Sequence, residues 1–491
     1  MKSKKVPFIS KSKFLLGLQC PKFLWYNYNA KDEIPEHSAF TKALLSQGHL
    51  VGDYSKKLYP SGLDVDWDIS FDEVIAKSKA LLSERKPLFE PGFEYNNAYS
   101  RIDILDPVDK NHWDIIEVKS STKLDAVYVY DVAFQKYCCE GSGLKIRKCF
   151  LMQINNQYVK QGDIEPDKLF VTHDISDLVN ERIKTVEEEL KLMFEVISLE
   201  KCPEVKIGPH CSEPYGCLLE SICRDFLPKN NVFTFYRMGK KGFELLEQGI
   251  TSIEEASGKI KLNEKQEIQA EAVISGKPYV NKDEIKRFLS ELNYPLHFFD
   301  FETLNTAIPL YDGVKPYQQV PFQFSLHVVE KKGAKPKHYE FLADSKEDPR
   351  FDLLKEMKKR IGEQGDILAY YMSFEKGRLI ELGEMYPEYY EWLNSLIPRF
   401  VDLYKPFANF HYYHPEQKGS ASIKAVLPVM TGRSYDDMEI GDGTTANTEF
   451  LRITYTDVSK AEKEKVRKAL LEYCCLDTEG MIDIINVLEK I

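Results

Sequence analysis

The spacing of apolar positions divides the chain into three parts. Residues 1–228 mix strand-like alternation with segments of helical period and end in a cysteine-rich stretch. Residues 229–290 are charged and follow the helical period, so they predict a small helical connector. Residues 291–491 alternate β-rich and helical segments, which indicates an α/β domain. The chain of 491 residues is also too long for one ordinary core, so an α/β multi-domain protein is predicted.

Two apolar runs in the first part have the composition of β-strands. Residues 100–105 and 113–119 flank a turn-rich stretch, so they predict a β-hairpin. Side chains alternate along a strand, so Glu117 and Lys119 share one face, and Asp103 on the partner strand can converge on them. Two carboxylates and a lysine at one point can bind Mg²⁺ and activate a water for phosphodiester cleavage. An exposed strand with an ordinary Glu/Lys pair is the alternative.

The segment after the hairpin adds to the catalytic interpretation. Residues 125–137 predict a helix that places Asp131 and Gln135 on one face. In order along the chain, the pattern resembles the motif set of RecB-like nucleases, a branch of the PD-(D/E)XK superfamily. The residues that carry this resemblance are Asp103, Glu117-Val118-Lys119, Gln135 and Tyr137.

This resemblance implies a restriction-endonuclease-like fold for residues 1–228. It implies that Asp103 and Glu117 bind Mg²⁺ or Mn²⁺, that Lys119 assists the attacking water, and that Gln135 positions the substrate together with Tyr137. His49 stands roughly where RecB-like nucleases carry a metal-binding histidine, and an ordinary surface histidine is the alternative.

The chain has ten cysteines, and their spacing suggests a metal site. The apolar run near the N-terminus is too short for a signal peptide, and no stretch approaches the ~20 apolar residues of a membrane span. A cytoplasmic protein without membrane association is therefore expected, and disulfides are not expected there. Cys138, Cys139, Cys149, Cys474 and Cys475 are interpreted as small buried apolar residues.

The other cysteines bracket the predicted nuclease core: Cys20 precedes it, and Cys211, Cys217 and Cys223 follow it. This arrangement resembles the iron–sulfur staple of AddB-type and CRISPR spacer-acquisition nucleases. The resemblance implies a [4Fe–4S] cluster with a structural role, and four cysteines also suit Zn²⁺. Cys202 and His210 are alternative ligands.

The third part carries two pairs of chemically active residues. Asp300 and Glu302 interrupt an apolar strand at positions i and i+2, so both point to one face. A carboxylate pair on a buried strand is costly unless protons or metals compensate it, so a divalent metal site is favoured over a chance pair. Tyr473 and Asp477 are four residues apart on a predicted helix and stack on one side. Taken alone, this segment is also explained as an ordinary helix that happens to contain a tyrosine and an aspartate.

Together these pairs resemble the DEDD exonucleases of the DnaQ-like, RNase H-fold superfamily, in the subclass that contains a tyrosine. Glu375 best matches the middle acidic motif, although most members have Asp there, and Tyr371 stands where Asn is frequent. The resemblance implies an RNase H-like fold for residues 291–491, 3′→5′ polarity, and Tyr473 as the residue that aims the water. Its implied ligands for two Mg²⁺ or Mn²⁺ ions are Asp300, Glu302, Glu375 and Asp477.

The net charge of −11 argues against a protein that coats nucleic acid by bulk electrostatics, but local basic groups occur. One such group is Lys2, Lys4, Lys5, Lys11 and Lys13. Lys424, at a Gly/Ser-rich helix entry, suits either a phosphate or a simple helix cap.

The complete motif set resembles a bacterial family that fuses a RecB-like nuclease to a DnaQ-like exonuclease. It implies a nuclease with two catalytic modules, acting on nucleic acid, with single-stranded DNA or DNA ends preferred, in DNA repair or defence against mobile DNA. One alternative is a single active module with the other as a substrate-binding platform. Another is a non-catalytic nucleic-acid-binding component of a repair or defence complex.

Overall fold

The structure is a computed structural model that describes residues 7–37, 39–65 and 69–491. Lys2, Lys4 and Lys5 of the N-terminal basic group lie outside these residues. The chain forms two compact units, one of residues 1–225 with 306–317 and one of residues 226–305 with 318–491. The predicted α/β multi-domain class is confirmed, since both units combine mixed sheets with helices.

Unit 1 contains a large mixed sheet with strand order β2-β3-β6-β7-β8-β9 and a smaller sheet with order β1-β5-β4. Strands β6 and β7 are antiparallel, whereas β7 and β8 are parallel. The strands are β1 (Ile9–Ser10), β2 (Leu63–Asp64), β3 (Leu88–Phe89), β4 (Gly92–Tyr95), β5 (Ala98–Arg101), β6 (Ile104–Pro107), β7 (His112–Lys119), β8 (Lys145–Ile154) and β9 (Phe170–Asp174).

The helices of unit 1 surround these sheets. They are α1 (Lys11–Gln19), α2 (Pro21–Asn29), α3 (Ala39–Lys56), α4 (Phe71–Leu81), α5 (Ala126–Gly141), α6 (Pro166–Leu169), α7 (Ser176–Arg182), α8 (Val186–Ser198) and α9 (Glu220–Cys223). Helix α5 confirms the predicted helix and begins at Asp125, whose side chain accepts a hydrogen bond from the N–H of Val127. It is the crossover that parallel strands β7 and β8 require, and Phe134 buries it in the core.

The predicted hairpin differs from the observed one at Asp103. Residues 100–105 are not a continuous strand: β5 belongs to the small sheet, β6 belongs to the large one, and the chain changes sheets at Ile102 and Asp103. Oδ2 of Asp103 accepts a hydrogen bond from the backbone N–H of Val118 at 2.7 Å. This side-chain bond continues the β6–β7 pairing past Ile104 and Ile116, where the backbone pairing ends. Asp103 therefore reaches β7 from a bend, and the prediction that it lies on the partner strand is wrong.

Residues 306–317 belong to unit 1 although they follow a strand of unit 2, Leu296–Leu304. Ala307 and Ile308 are buried in a hydrophobic cluster with Phe89 and Ile116 of the large sheet. The hydroxyl of Tyr317 donates to the carbonyl oxygen of Ser120. The core of unit 1 therefore includes a segment that is distant in sequence.

Unit 2 is built on a mixed sheet with strand order β13-β12-β11-β14-β15. Strand β11 is antiparallel to β12 and parallel to β14, and β14 is parallel to β15. The strands of unit 2 are β10 (Tyr279–Val280), β11 (Leu296–Leu304), β12 (Val320–Val329), β13 (Lys337–Leu342), β14 (Ile367–Ala369), β15 (Phe400–Asp402) and β16 (Tyr412–Tyr413).

The helices of unit 2 include those of residues 229–290, which were predicted as a separate connector and lie in this unit. They are α10 (Lys241–Glu247), α11 (Ile253–Ala256), α12 (Glu264–Ser275), α13 (Lys282–Ser290), α14 (Arg350–Arg360), α15 (Ser373–Met385), α16 (Pro387–Leu396), α17 (Lys405–Ala408), α18 (Ile423–Thr431), α19 (Gly443–Tyr455) and α20 (Lys460–Leu488). None of the helices formed by the described residues of either unit combines the length and apolar character that a membrane crossing requires.

Helix α20 covers one face of the β11–β12 pair. Gln323 on β12 donates to the carbonyl oxygen of Leu470 at 2.8 Å, and the hydroxyls of Ser325 and Thr478 are 2.7 Å apart. Directly opposed residues of an antiparallel pair share a face, and Asp300 opposes Ser325 while Glu302 opposes Gln323. The two predicted metal ligands of β11 therefore face α20, which carries Tyr473 and Asp477.

Candidate functional sites

The acidic cluster of unit 2 consists of Asp300, Glu302, Glu375 and Asp477. Glu302 and Asp477 are 7% exposed, Glu375 is 3% exposed, and Asp300 is half-buried. Strands β11, β14 and β15 are parallel, so their carboxyl ends meet at one edge, and Glu375 lies in the first turn of the helix that follows β14. The structure thus brings together the four carboxylates that the sequence proposed as ligands.

The carboxylates repel one another in this buried position. Burial first, and then the charges of Asp477, Glu302 and Glu375, raise the pKa of Asp300 well above its usual range. The pKa of Glu375 rises to about 8 by burial and the nearby Asp402. Burial raises the pKa of Asp477 to about 6 although Tyr435 donates a hydrogen bond to it at 2.6 Å. An added divalent cation would relieve this repulsion.

The donor set of the acidic cluster fits Mg²⁺ or Mn²⁺. Hard divalent cations prefer carboxylate oxygens, and Oε2 of Glu375 is buried without a hydrogen-bond partner in the structure. Ligand atoms of Asp300, Glu302 and Cys474 all lie within 4.8 Å of one another. The sulfur of Cys474 is 3.7 Å from Oδ2 of Asp300, which suits a thiol that donates to the carboxylate. Cys474 is buried as predicted and also borders the site.

Two aromatic residues and one lysine complete this site. Tyr473 is 5% exposed, and this burial raises the pKa of its hydroxyl. The charges of the nearby carboxylates raise that pKa further; these are Asp477, Glu302 and Asp300. The ring of Tyr435 lies 6.0 Å from that of Tyr473. Nζ of Lys424 lies 5.7 Å from the centroids of both rings. Burial raises the pKa values of Glu302 and Asp477, and the charge of Lys424 offsets part of that rise. Lys424 therefore lies beside the carboxylates. From the sequence, either a phosphate-binding role or a helix cap was possible for this residue.

Asp402 and Tyr371 shape the edge of the acidic cluster. Asp402 ends β15 and accepts the N–H groups of Tyr371 at 2.9 Å and Tyr404 at 3.1 Å. Tyr371 has a φ of 73°, a left-handed conformation that Asn adopts more readily than an aromatic residue does. The hydrogen bond from the N–H of Tyr371 to Asp402 holds this turn, which leads directly into the helix that carries Glu375.

The mixed-charge cluster of unit 1 is centred on Glu117, which is 1% exposed. Its Oε1 accepts from Lys119 at 2.5 Å and from Lys11 at 3.0 Å, and its Oε2 accepts from Gln135 at 2.5 Å. Lys119 also donates to Asp131 at 2.6 Å. The charges of Lys11 and Lys119 and these hydrogen bonds outweigh burial, so the pKa of Glu117 is lowered.

Asp103 lies close to Glu117 but is held differently. Burial and the charge of Glu117 raise the pKa of Asp103 to about 8. Its Oδ2 accepts the backbone N–H of Val118, whereas Oε1 of Gln135 is buried without a hydrogen-bond partner in the structure. These carboxylates and this amide oxygen fit Mg²⁺ or Mn²⁺. A cation that binds Glu117 at Oε1 must share that oxygen with Lys11 and Lys119.

Three members of this cluster were not predicted from the sequence as site residues. The sequence identified Lys11 only as a member of the N-terminal basic group. It identified Asp131 only as a residue that shares a face of α5 with Gln135. Glu90 was not proposed as a site residue. Burial raises the pKa of Glu90 to about 7. The charge of Glu117 adds to this rise, whereas the charges of Arg101 and Lys11 oppose it. No signal in the sequence pairs residue 11 with residue 117, because the contact depends on how α1 packs.

The surroundings of two other predicted residues, Tyr137 and His49, differ from those of Gln135. The ring of Tyr137 packs against Tyr95 at 5.2 Å, and its hydroxyl accepts from Asn96 at 3.3 Å. Tyr137 is two residues from Gln135, and that spacing places the two on different faces of a helix. His49 is exposed on α3. Lys11, Lys119 and Gln135 hydrogen-bond to Glu117.

The cysteine cluster consists of Cys20, Cys211, Cys217 and Cys223, which line one cavity of unit 1. The sulfur of Cys20 receives hydrogen bonds from the backbone at Lys22 and Phe23, and that of Cys217 from the backbone at Leu219. Such N–H groups stabilise thiolates, and hydrogen bonds to the sulfurs also tune iron–sulfur clusters. The cysteines are free in the structure, and the donor set fits a metal or an iron–sulfur cluster.

Two further potential ligands lie beside these cysteines. Cys202 lies near Cys20 and Cys223, and His210 lies 3.7 Å from the sulfur of Cys211.

The loop between Cys211 and Cys217 connects the cysteine cluster to the mixed-charge cluster. Gln19 donates to the carbonyl oxygens of His210 at 2.9 Å and Tyr215 at 2.6 Å. Tyr215 in turn lies close enough to Lys119 and Asp131 for their charges to act on its pKa, which burial raises. A group bound by the cysteines would therefore also fix the position of Tyr215.

If the four cysteines hold an iron–sulfur cluster, replacing Cys217 with Ala is expected to remove the iron and to lower the melting temperature by roughly 6–12 °C. The reason is that a link between Cys20 and the later cysteines closes a very long loop, worth about 3 kcal/mol or more. Metal content and differential scanning calorimetry of anaerobically purified protein provide the measurement. Cys202→Ala, which removes a similarly half-buried thiol, should keep the iron. Equal iron content in both variants would contradict the assignment.

The metal-free protein should lose stability as the pH rises through the neutral range. The pKa values of Asp477, about 6, and Glu375, about 8, lie above the ordinary values of 3.8 and 4.5, so the folded state holds protons that the unfolded state has released. The free energy of unfolding therefore falls between about pH 4 and pH 8. Asp103 and Glu90 contribute in the same direction.

A Mg²⁺ ion bound by the carboxylates would replace these protons, so its stabilising effect should grow over the same pH range. The check is the melting temperature from pH 5 to 8.5, with EDTA and with Mg²⁺. A melting temperature in EDTA that stays level or rises with pH would show that the carboxylates are not packed as described.

Comparison with known proteins gives relatives of unknown function. The family model described as "Domain of unknown function (DUF2779)" matches residues 297–422, which include Asp300, Glu302 and Glu375 but not Tyr473 or Asp477. "Uncharacterized protein MG366" of Mycoplasma genitalium is 25% identical over 240 residues, covering 45% of this chain and 36% of that protein. "Uncharacterized protein UU173" of Ureaplasma parvum serovar 3 is 26% identical over 221 residues, covering 40% and 31%.

The chain thus spans about a third of the length of the curated relatives that it matches. Among solved structures, a protein described as "Crystal structure of SSO0001" matches at 12% identity. The match covers 46% of this chain and 89% of that one, with a TM-score of 0.22.

Proposed function

We propose that this chain is a metal-dependent nuclease with two catalytic modules. Unit 2 is proposed to be a DnaQ-like exonuclease of the RNase H fold, and unit 1 a RecB-like nuclease of the PD-(D/E)XK fold. The observation that carries the proposal is the acidic cluster: four carboxylates from β11, α15 and α20 meet in a buried position and are matched by few local cations. Such a cluster is stabilised by divalent metal ions, and paired ions catalyse phosphodiester hydrolysis.

In the proposed unit 2 site, Asp300, Glu302, Glu375 and Asp477 hold two divalent ions. The ions supply Lewis acidity and an activated water when bound. Tyr473 orients that water through its hydroxyl, and Tyr435 fixes Asp477 by donating to its Oδ1. Lys424 contributes positive charge next to Glu302, which suits a phosphate of the substrate strand or its transition-state charge.

In the proposed unit 1 site, Asp103 and Glu117 bind the metal and Gln135 positions Glu117 by donating to its Oε2. Lys119 stays protonated beside Asp131, because the charges of Asp131 and Glu117 raise its pKa. It therefore serves as a cation that orients the water or stabilises negative charge, rather than as a base. Lys11 is placed for the same role.

The proposed cysteine-bound group is a [4Fe–4S] cluster, with Zn²⁺ as the alternative. The proposal is supported by the four cysteines, which line one cavity, and four thiolates are the usual ligands of such a cluster. Its role is structural, because it links the N-terminal helices α1 and α2 to residues 211–223. Nucleic acid is the proposed partner, with single-stranded DNA or DNA ends first.

Two other functions remain as alternatives to be tested. A nuclease with one active module is motivated by Glu375 and Tyr371, which depart from the usual residues of the exonuclease motif. A binding protein without catalysis is motivated by the net charge of −11, which is compatible with protein partners.

The test uses end-labelled single- and double-stranded DNA and RNA with the anaerobically purified full chain and Mg²⁺ or Mn²⁺. Wild type is compared with Lys119→Ala, Asp300→Ala and the double variant. Two active modules predict that each single variant loses a different product pattern and the double variant is inactive. Loss of all cleavage in only one single variant indicates one active module. If no substrate is degraded while binding persists in EDTA, the proposal is wrong and the protein is a binding component.

A further inference from the structure

A second group of metal-ligating side chains lies in unit 2, outside the acidic cluster. His327 on β12, His338 on β13 and Cys475 on α20 each offer a ligand atom, and these atoms all lie within 4.8 Å of one another. His327 is 6% exposed and Cys475 is half-buried, whereas His338 is exposed. The proposed nuclease chemistry uses none of these three residues.

The strand register explains why the two histidines meet. His327 and His338 are direct partners in the antiparallel β12–β13 pair, so their side chains share one face of the sheet. Their rings stack with centroids 4.3 Å apart and planes inclined by 18°. Helix α20 covers the same face and brings Cys475 to the pair, next to Thr478, which contacts β12.

Hydrogen bonds hold one nitrogen of each imidazole ring. Nδ1 of His327 lies 2.8 Å from the hydroxyl of Thr478, and Nε2 of His338 lies 3.0 Å from the hydroxyl of Ser325. Metal-binding histidines generally use one nitrogen as the ligand and hydrogen-bond through the other, which fixes the ring orientation. The remaining nitrogens, Nε2 of His327 and Nδ1 of His338, are the ones that we assign to a metal.

The charge around the group also suits a cation. Oε2 of Glu340 is 3.9 Å from Nε2 of His338, and the charges of Glu479 and Glu340 act on the thiol of Cys475. Nη2 of Arg433 lies 2.7 Å from Oε2 of Glu479 and partly neutralises the charge of that carboxylate. A divalent ion bound to two neutral imidazoles and one thiolate carries one net positive charge, which these carboxylates offset.

We propose that His327, His338 and Cys475 form a binding site for a borderline-soft divalent ion of the Zn²⁺ type. Imidazole and thiolate ligands select such ions over Mg²⁺, which requires oxygen. Three protein ligands leave the fourth tetrahedral position to water or to a nearby carboxylate. This site is chemically distinct from the acidic cluster, whose carboxylate oxygens suit hard cations.

The position of the site gives it a structural consequence. It joins β13, the edge strand of the sheet, to β12 and to α20 at Cys475. Tyr473 and Asp477 lie two residues to either side of Cys475 on the same helix. A bound ion therefore fixes the segment of α20 that presents both residues to the acidic cluster.

Two measurements on the full chain test this proposal. In the first, equilibrium dialysis against Zn²⁺ followed by elemental analysis compares wild type with His338→Gln and Cys475→Ser. Wild type is expected to bind about one zinc ion per chain more than either variant. His411→Gln is the matched control, because His411 is also a partly exposed histidine of unit 2 that lies 3.9 Å from a glutamate, Glu284. Its zinc content should equal that of wild type.

The second measurement uses only the wild-type chain, so it does not depend on a variant that folds. Cysteine alkylation is followed by peptide mass spectrometry with and without Zn²⁺, and each thiol is read separately. Zn²⁺ is expected to slow alkylation of Cys475 on the order of tenfold, because a metal-bound thiolate is a weaker nucleophile. Equal zinc content in wild type and both variants, or an alkylation rate of Cys475 that Zn²⁺ does not change, would overturn the proposal.

Discussion

Replacing Asp300 with Asn is expected to lower the rate of 3′→5′ nucleotide release by unit 2 about 10³-fold, equivalent to about 4 kcal/mol of transition-state stabilisation. The amide keeps the shape of the carboxylate but removes the charge that would bind a divalent metal ion. The same substitution removes one of four mutually repelling carboxylates, so the metal-free protein should become more stable above neutral pH. Loss of activity with gain of stability separates a catalytic role from a structural one.

The measurement is release of labelled nucleotides from the 3′ end, with melting temperatures in EDTA as the second readout. Asp437→Asn is the matched control, because Asp437 is an exposed aspartate of the same unit and should affect neither readout. Unchanged exonuclease activity in Asp300→Asn would exclude the acidic cluster as a catalytic site. A fall in both activity and stability would instead indicate that Asp300 supports the fold.

Replacing Glu117 with Gln in the Asp300→Asn background is expected to remove the remaining cleavage, again by about 10³-fold. Glu117 is the residue on which Lys11, Lys119 and Gln135 converge, and its lowered pKa keeps it ionised throughout the working pH range. The neutral amide cannot balance the two lysines or bind a divalent ion as a carboxylate does. The background variant ensures that only unit 1 is measured.

Internal and end-labelled substrates together show whether this residual cleavage is lost. Glu94→Gln is the control, because Glu94 is an exposed glutamate on β4 of the same unit. A Glu117→Gln variant that cleaves as fast as its background would place the activity elsewhere. Far-ultraviolet circular dichroism and iron content of both variants establish that unit 1 is intact when the rates are compared.

The sequence predicted elements well where one pattern governs them. The strand of residues 296–303, the helix of residues 125–137 and the C-terminal helix are all present in the structure. The alternation of residues 100–105 was misleading, because period-2 patterning does not reveal a change of sheet. At Asp103 a side chain bonds to the neighbouring strand instead of the backbone, and only the tertiary structure shows this.

The candidate sites were predictable to the extent that spacing places residues together. Asp300 with Glu302 and Tyr473 with Asp477 are local pairs, so strand and helix periods suffice to align each pair. Lys11, Tyr435 and the His327–His338 pair depend on how distant elements pack or on which residues two strands oppose. Motif resemblance suggested Tyr137, but its helical position turns it away from Gln135.

The path of the chain limits how the two units can be produced separately. A single cut between residues 225 and 226 leaves the N-terminal fragment without residues 306–317. That fragment lacks Ala307 and Ile308, which fill its core, and Tyr317, which bonds to the carbonyl group next to Lys119. Such a truncation is expected to aggregate or to be inactive for reasons unrelated to its catalytic residues. A circularly permuted or spliced fragment that restores residues 306–317 is the form in which unit 1 can be tested alone.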